Sequence, residues 1–482
     1  MKNKKLKYLF LPLIALLLLN ACATDDADEI TLENIVNDAV DEDASNDSQN
    51  DDVTVSEETT QLIVDWNELW LELDLHTVDM RPNIVTRSLA YIHLVGFETA
   101  VPFMDEFTSN EQRLNNFNLN ENIFDDDVNL NLALSTAYEI AFEHFMFSLE
   151  PGVRQRISNF HSEREEELSE GLSNEEIENS ERWGRHVAER VINYSESDQD
   201  AEEQIIDQTP DSYIAPVGIG LWTAAENEDA WFPYWREVRT FAMSPNQSNS
   251  VDFDSVLSYS TDASSEYFGQ MNEVYSVTTN AATNENEDLW IAEFWADDVE
   301  GLMISPPGRQ LSIANQLIVQ NDLDFDEALE LLIRLGFALN DAAVSAWDDK
   351  YTYNIERPSN YIREYIDEDF TSNLSKFIDG VNPAFPSYPS GHATFAGVSA
   401  GVFISFFGSD NIDFTDRTYT SFGNTTFNST PRSFTSFTEM ARENAYSRVP
   451  LGVHIEQDAI EGLRLGYEIA EAVNSFNLSS NL

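Results

Sequence analysis

The chain is poor in cysteine and in positive charge. Cys22 is the single cysteine among 482 residues, so no disulfide can form within the chain. Lys and Arg number 26 against 87 Asp and Glu, which gives a formal net charge of -61. This charge repels nucleic acid and anionic lipid headgroups, so neither is expected as a partner. With so few cations in the chain, a cluster of them calls for an explanation.

Long apolar runs are also missing, and the mean hydropathy is -0.35. The one N-terminal run, Tyr8 to Leu19, is too short to span a bilayer, and four lysines precede it. It ends in Leu19-Asn20-Ala21-Cys22, which resembles a bacterial lipobox. We therefore expect residues 1–21 to be a lipoprotein signal peptide and Cys22 to be the lipidated first residue of the mature protein.

Residues 22–60 are expected to form an acidic disordered tether. From Ala23 to Thr60 there are fourteen Asp or Glu and no Lys or Arg, so the segment repels itself and buries no core. The expected product is an exported lipoprotein at the outer membrane or cell surface of a Gram-negative bacterium. It would meet the membrane only through its lipid.

Beyond the tether, apolar residues recur at helical spacing, which predicts an all-α fold. Examples are the stretches 62–73, 134–145, 183–194 and 328–339. We expect two helical bundles, residues 61–290 and 291–482, with the functional site in the second. From Asp211 to about Asn286 the chain is rich in Asn, Ser, Pro and Thr, which predicts a long irregular connection.

Three motifs in the last third of the chain carry the chemistry. They read Lys350-x6-Arg357-Pro358, Pro389-Ser390-Gly391-His392 and Ser447-Arg448-x5-His454-x3-Asp458. They combine three fixed cations, a hydroxyl, a glycine turn and two histidines, which suit a tetrahedral oxyanion.

The local setting of the motifs supports an anion site. Ser390 and Gly391 are expected to open a helix, whose free N–H groups favour an anion. Asp458 lies one helical turn after His454, where its carboxylate can accept the second imidazole N–H. Lys350 is expected to follow a helix, and a loop is expected between Arg448 and a final helix that starts near His454.

This spacing resembles the tripartite signature of the superfamily that unites type 2 phosphatidic acid phosphatases and vanadium haloperoxidases. The surrounding residues, such as Phe385-Pro386-Ser387-Tyr388, are similar to the haloperoxidase branch. The resemblance implies vanadate as cofactor, His454 as its axial ligand and His392 as the partner of its apical oxygen. The implied partners of the equatorial oxygens are Lys350, Arg357, Ser390, the Gly391 N–H and Arg448.

The implied reaction is oxidation of a halide by hydrogen peroxide to a hypohalous species, which would react with small organic acceptors. Iodide is the expected halide because it is the easiest to oxidise, and bromide is the next candidate. Trp347 and Phe385 are candidates for the halide pocket. In the family, the position of Phe385 varies between an aromatic residue and histidine.

Two alternatives stay open. The same residues can hydrolyse a phosphate ester, with His454 as a nucleophile that forms a phosphohistidine, Asp458 as its orienter and His392 as the acid for the leaving group. The protein would then be a soluble acid phosphatase of the same superfamily. The other alternative is a surface lipoprotein that binds an oxyanion without chemistry, which the acid–base pair of histidines disfavours.

Overall fold

Helices dominate the computed structural model, which describes residues 55–120, 123–125, 127–224, 229–243, 256–376, 382–421 and 427–479. The predicted signal peptide, Cys22 and most of the predicted tether lie outside these residues. The tether prediction extended too far, because helix α1 begins at Val55. Glu57 and Glu58 lie in its first turn, where negative charge complements the helix dipole. Within the described residues, no helix is both long and apolar enough to cross a membrane.

The N-terminal bundle is built around helix α2, whose residues are all buried. Its helices are α1 (Val55–Asp74), α2 (Asn83–Ala100), α3 (Leu130–Phe145), α4 (Pro151–Leu168), α5 (Asn174–Glu196) and α6 (Gln199–Ile206). Helices α3 and α5 pack against α2 and against each other. Helix α4 lies at the periphery, since only Ile157 and His161 are buried along it.

The C-terminal bundle is built around α10, α12 and α16. Its helices are α7 (Glu266–Asn284), α8 (Glu287–Phe294), α9 (Pro306–Gln320), α10 (Phe325–Tyr353), α11 (Pro358–Tyr365), α12 (Gly391–Phe407), α13 (Thr418–Ser421), α14 (Phe437–Tyr446), α15 (Arg448–Leu451) and α16 (Glu456–Asn474). In the described part of the chain, the regular strands are β1 (Asn411–Asp416) and β2 (Arg432–Ser436), which pair antiparallel. The predicted all-α fold of two helical bundles is confirmed.

Helix α10 joins the two bundles. It packs against α2 on one side and against α12 on the other, so one apolar core runs through both bundles. Its acidic start, Asp324 with Glu327, forms a capping box. Because α10 ends next to the site, the packing of both bundles fixes the position of the first motif.

Small residues let α12 and α16 cross closely. A Cβ on Gly466 would lie 2.4 Å from the carbonyl oxygen of Thr394, and one on Gly397 would lie 2.7 Å from that of Leu463. Contacts this short require glycine on both helices. The crossing brings the N-terminus of α12, with Ser390, beside the start of α16, with Asp458.

Several predicted boundaries were wrong. The connection predicted for residues 211–286 contains α7, whose polar residues cover an exposed face while Tyr267, Met271 and Val274 are buried at helical spacing. The predicted division between residues 290 and 291 cuts through α8, which forms one continuous helix.

Two local predictions in the motif region were also wrong. Lys350 lies inside α10 rather than after it, because the helix continues to Tyr353 and ends at left-handed Asn354. Arg448 begins the short helix α15 rather than a loop, and Gly452 at φ 88° ends that helix. The last helix then starts at Glu456, just after His454.

Candidate oxyanion site

The three motifs meet at the C-terminal end of α10, the N-terminal end of α12, the short helix α15 and the start of α16. Arg357 is extended (φ -78°, ψ 145°) before Pro358, as the proline demands. Ser390 caps α12, and its hydroxyl accepts a hydrogen bond from the Ala393 N–H at 3.3 Å. All the residues predicted to hold an oxyanion therefore lie around one point, and each is buried.

Lys350 is fully buried, and its ammonium group holds the turn that precedes α12. Nζ donates to the carbonyl oxygens of Pro386, Ser387 and Pro389 at 3.0, 2.9 and 2.6 Å. Burial lowers the pKa of Lys350, and the charge of Arg357 lowers it further. The three carbonyl oxygens fix both the ammonium group and the backbone of the turn.

Arg357 sets the protonation of His454. Its Nη1 donates to the Val453 carbonyl oxygen and lies 3.1 Å from His454 Nε2. A guanidinium has no acceptor, so Nε2 must offer a lone pair. Burial, reinforced by Arg357, lowers the pKa of His454, which keeps the ring neutral and places its one proton on Nδ1. Burial also lowers the pKa of Arg357, to about 9.

Two acceptors surround His454 Nδ1. Asp458 Oδ2 lies 2.9 Å away, as the spacing of one helical turn predicted. Ser387 Oγ lies 3.3 Å from the same nitrogen and donates to Asp458 Oδ2 at 2.6 Å. No role for Ser387 was predicted from the sequence. The unprotonated Nε2 is the atom that can bind a metal or act as a nucleophile.

Asp298 is a second residue that the motifs did not predict. Both of its carboxylate oxygens accept from Arg448 Nη2, at 3.0 and 2.9 Å, and Oδ2 lies 4.0 Å from His392 Nε2. Burial opposes the ionisation of Asp298, but the charge of Arg448 and its hydrogen bonds outweigh it and hold the pKa of Asp298 below the usual value. Asp298 lies far upstream of the first motif, and no spacing in the sequence connects the two.

His392 lies in the site with an unused ring nitrogen. Its Nε2 is buried and has no hydrogen-bond partner among the described residues. Burial, with the charge of Arg448, lowers the pKa of His392 to about 3. The ring is therefore a neutral imidazole at ordinary pH, and it can accept a proton from a molecule that enters the cavity.

A cavity of about 530 Å³ opens in front of these groups. The predicted residues that line it are Trp347, Phe385, Gly391, His392, Arg448 and His454. Lys350, Arg357, Ser390 and Asp458 are buried and do not line it. The Trp347 and Phe385 rings lie 4.8 Å apart, side by side in the wall. The lining also includes Arg81, Thr209 and Trp231, which lie outside the three motifs.

Positive charge concentrates at the predicted oxyanion position. Lys350, Arg357 and Arg448 are buried there, while Asp298 pairs with Arg448 and Asp458 with His454. Other carboxylates of the cavity lining, Asp229, Asp297 and Glu300, lie outside the three motifs. An anion at this position would be held by the buried cations. The buried Arg448 Nε also lacks a partner within the described part of the chain. Vanadate and phosphate both meet these requirements.

Comparison with known proteins gives a family match in the C-terminal bundle. The family model of the VCPO second helical-bundle domain matches residues 330–480, which include every predicted oxyanion contact. A vanadium chloroperoxidase from Curvularia inaequalis is 30% identical over 122 residues, which cover 22% of this chain. The chain matches only 20% of the length of that relative.

Solved structures resemble the whole fold. The crystal structure of a bacterial vanadium-dependent iodoperoxidase aligns with a TM-score of 0.74 and 24% identity, over 90% of this chain and 100% of that one. A holo-type bacterial vanadium-dependent chloroperoxidase aligns with a TM-score of 0.61 and 14% identity, over 83% and 93% of the two chains. The two-bundle architecture of this chain is therefore the one found in those enzymes.

Proposed function

The C-terminal bundle belongs to the superfamily of vanadium haloperoxidases and type 2 phosphatidic acid phosphatases, and on this basis we propose that the protein is a vanadate-dependent haloperoxidase. Its substrates would be hydrogen peroxide and a halide, with iodide first and bromide second. One observation carries the proposal: His454 presents an unprotonated Nε2 among three buried cations at the wall of a cavity. Vanadate would satisfy all of these groups, because its metal can bond to His454 Nε2 and its negative charge attracts the cations.

Each residue of the site would have a separate role. His454 Nε2 would bind the metal, and Arg357, Ser390, the Gly391 N–H and Arg448 would hold the oxygens. Lys350, predicted to hold an oxygen as well, would act through its positive charge, because three carbonyl oxygens take its three N–H donors. Bound vanadate would supply the activation of hydrogen peroxide for oxygen transfer to a halide. His392 would take a proton from the entering hydrogen peroxide at its free Nε2. Asp298 would hold Arg448 in place through its two hydrogen bonds.

The cavity wall supports both a halide and an organic acceptor. Trp347 and Phe385 lie beside the oxyanion position and form an apolar, polarizable surface that suits a weakly hydrated ion such as iodide. A volume of about 530 Å³ exceeds what a halide needs and falls within the range of small-molecule sites. Small organic molecules that react with the hypohalous product could therefore enter the same cavity.

The phosphatase alternative uses the same geometry. His454 Nε2 would attack phosphorus, Asp458 would accept the Nδ1 proton of the resulting phosphohistidine, and His392 would protonate the leaving oxygen. A bound anion beside His392 would favour its protonated form, so the low pKa of about 3 does not separate the two reactions. The match to a vanadium chloroperoxidase favours the haloperoxidase.

One experiment separates the three candidates. Purified protein is loaded with orthovanadate, and oxidation of iodide, bromide and chloride is measured beside hydrolysis of p-nitrophenyl phosphate by the vanadate-free protein. We expect iodide oxidation that depends on vanadate and that phosphate inhibits by competition. Ester hydrolysis without halide oxidation would establish the phosphatase instead. Tight vanadate binding with neither activity would establish a non-catalytic oxyanion-binding protein.

We also propose that Cys22 carries lipid and that the protein is an exported lipoprotein at the outer membrane or cell surface. The apolar run that ends in Leu19-Asn20-Ala21-Cys22 supports this. Mass spectrometry of membrane-extracted protein should find an acylated N-terminal peptide that begins at Cys22. An intact Met1 or an unmodified Cys22 would contradict it.

A further inference from the structure

We propose that Ser387 is a positioning residue, and that its hydroxyl, together with Asp458, holds the His454 imidazole by its Nδ1–H so that the Nε2 lone pair points to the site. The inference deepens the proposed function, because vanadate binding needs that lone pair. It rests on a hydrogen-bonded network of four residues, which are Ser387, Asp458, His454 and Arg357. Of these, Ser387 lies outside the three motifs.

The backbone on both sides of the Ser387 side chain is fixed. Its N–H donates to the Ile355 carbonyl oxygen at 2.9 Å, and its carbonyl oxygen accepts from Lys350 Nζ at 2.9 Å. The side chain is buried, with 1% of the residue exposed. The hydroxyl therefore has no water to bond with, and its position relative to the site is set by the turn that Lys350 holds.

The direction of every hydrogen bond in the network follows from donor chemistry. Arg357 Nη1 can only donate, so His454 Nε2 accepts and Nδ1 bears the proton. Ionised Asp458 can only accept, so the Ser387 proton points to Oδ2 at 2.6 Å. The Ser387 oxygen then turns a lone pair toward Nδ1–H at 3.3 Å. Nδ1–H thus lies between two acceptors, and no acceptor faces Nε2.

Asp458 cannot hold this arrangement by itself. Its Oδ1 is buried with no hydrogen-bond partner among the described residues, so both hydrogen bonds fall on Oδ2. The Ile455 backbone N–H also acts on this carboxylate, and Ser387 adds a side-chain hydrogen bond to the oxygen that faces Nδ1. The hydroxyl therefore opposes rotation of the carboxylate about its Cβ–Cγ bond. Partners of this kind orient metal-binding histidines.

The test compares Ser387→Ala with Ser345→Ala. Ser345 is also fully buried, on α10, and its hydroxyl has no partner in the described part of the chain. The measurement is the vanadate dissociation constant, from equilibrium dialysis or ⁵¹V NMR. We expect Ser387→Ala to raise it by about 10- to 100-fold, as for lost partners of metal-binding histidines. Ser345→Ala should leave the dissociation constant unchanged. Ser387→Thr, which keeps a hydroxyl, should have a dissociation constant close to that of the natural protein.

A spectroscopic readout separates positioning from a structural role. With ¹⁵N-labelled histidine and no vanadate, the His454 signals should show a protonated Nδ1 in the natural protein. In Ser387→Ala the signal of the protonated Nδ1 should shift, because one of its two acceptors is lost, while Arg357 still keeps Nε2 unprotonated. The His454→Gln spectrum assigns the signals. Ser387→Cys, similar in size but a weak donor, serves as the second variant if Ser387→Ala does not fold.

The outcomes for Ser387 and for the proposed function are distinct. An unchanged Nδ1 signal and an unchanged vanadate affinity in Ser387→Ala or Ser387→Cys would overturn the role of Ser387. A natural protein that does not bind vanadate would overturn the haloperoxidase, and the ¹⁵N spectra would still decide the role of Ser387.

Discussion

At the residue scale, the two site histidines differ in what surrounds them. His454 is bonded at both ring nitrogens, to Asp458 and to Arg357, whereas His392 has a free Nε2 at the cavity. A histidine fixed on both sides is suited to hold a ligand in one geometry. A histidine with a free nitrogen is suited to exchange a proton with an entering molecule.

The first prediction separates the two histidines by mutation. His454→Ala should abolish tight vanadate binding, because it removes the one proposed bond from the protein to the metal. His392→Ala should keep the vanadate affinity within about tenfold and lose about 10²- to 10⁴-fold of iodide turnover, the usual contribution of a positioned acid–base group. Vanadate titration and steady-state kinetics measure the two effects. Equal loss of affinity in both variants would contradict this division of roles.

The motif residues could be predicted from the sequence, but their supporting partners could not. The distance of one helical turn between His454 and Asp458 is visible in the spacing and was confirmed at 2.9 Å. Asp298 reaches Arg448 from the segment after α8, and only the folded chain brings the two together. Ser387 lay among the residues that surround the second motif, but whether its hydroxyl turns toward Asp458 depends on the backbone of the turn.

At the element scale, the crossing of α12 and α16 sets the dimensions of the site. Ser390 begins one helix and Asp458 lies in the first turn of the other, and the Ser390 N–H donates to the Asp458 carbonyl oxygen at 2.9 Å. Any change in the separation of these helices therefore moves a predicted oxyanion donor relative to the partner of His454.

The second prediction concerns Gly462 on α16. A Cβ at this position would lie 2.5 Å from the Ser390 carbonyl oxygen and 2.8 Å from the Ala393 Cβ. Gly462→Ala should therefore push the helices apart, cost about 1–3 kcal/mol of unfolding free energy and weaken vanadate binding. Urea denaturation and vanadate titration measure these effects.

The control for Gly462→Ala is Gly269→Ala on α7, where nothing lies within 4 Å of the added Cβ. Alanine there should be neutral or stabilise the helix by up to about 1 kcal/mol, because it is the better helix former. Unchanged stability and affinity in Gly462→Ala would show that the crossing tolerates a wider separation.

The third prediction concerns Glu98, near the end of α2. Its Oε1 accepts from the Asn110 N–H and Nδ2 at 2.8 and 2.7 Å and joins α2 to the following segment. Burial raises the pKa of Glu98 from 4.5 to about 7, against the effect of those bonds. Between these values the folded state binds more protons than the unfolded state, so stability falls as pH rises and the loss is complete above pH 7.

Glu98→Gln keeps the Oε1 acceptor and removes the charge. The variant should match the natural protein near pH 4 and exceed its stability by on the order of 3 kcal/mol near pH 8, where the natural carboxyl is forced to ionise. Urea denaturation at both pH values measures this difference. A difference between the two proteins that does not change with pH would contradict the prediction.

Helix prediction succeeded where the apolar spacing was dense and failed where polar residues concealed it. The start of α12 was predicted within one residue, because Ser390 and Gly391 precede an unbroken apolar run. Helix α7 was missed because Asn, Ser and Thr occupy its exposed face. The cap at Ser265, which accepts from the Phe268 N–H, was a usable signal for its start.

At the scale of the whole molecule, charge governs how substrates approach. The site collects three of the 26 Lys and Arg, whereas the full chain carries a formal net charge of -61. Under the proposed function, a halide would therefore diffuse through a repulsive field before it reaches the cavity. Hydrogen peroxide is neutral and does not experience this field.

The fourth prediction follows from this difference. Raising the ionic strength with sodium nitrate should screen the repulsion and increase kcat/KM for iodide by roughly two- to tenfold. The KM for hydrogen peroxide should stay constant in the same series, which provides the internal control. A kcat/KM for iodide that falls as salt is added would instead show that attraction to the positive site controls the approach.

The lining of the cavity comes from two parts of the chain. Every predicted oxyanion contact lies between Lys350 and His454, inside the region that matches the family model, whereas Arg81, Thr209 and Trp231 line the cavity from outside it. Mutations that accumulate in the first half of the gene can therefore change the shape of the cavity while the predicted oxyanion contacts are inherited unchanged. Under the proposed function, enzymes descended from one such ancestor would share a reagent and yet make different products.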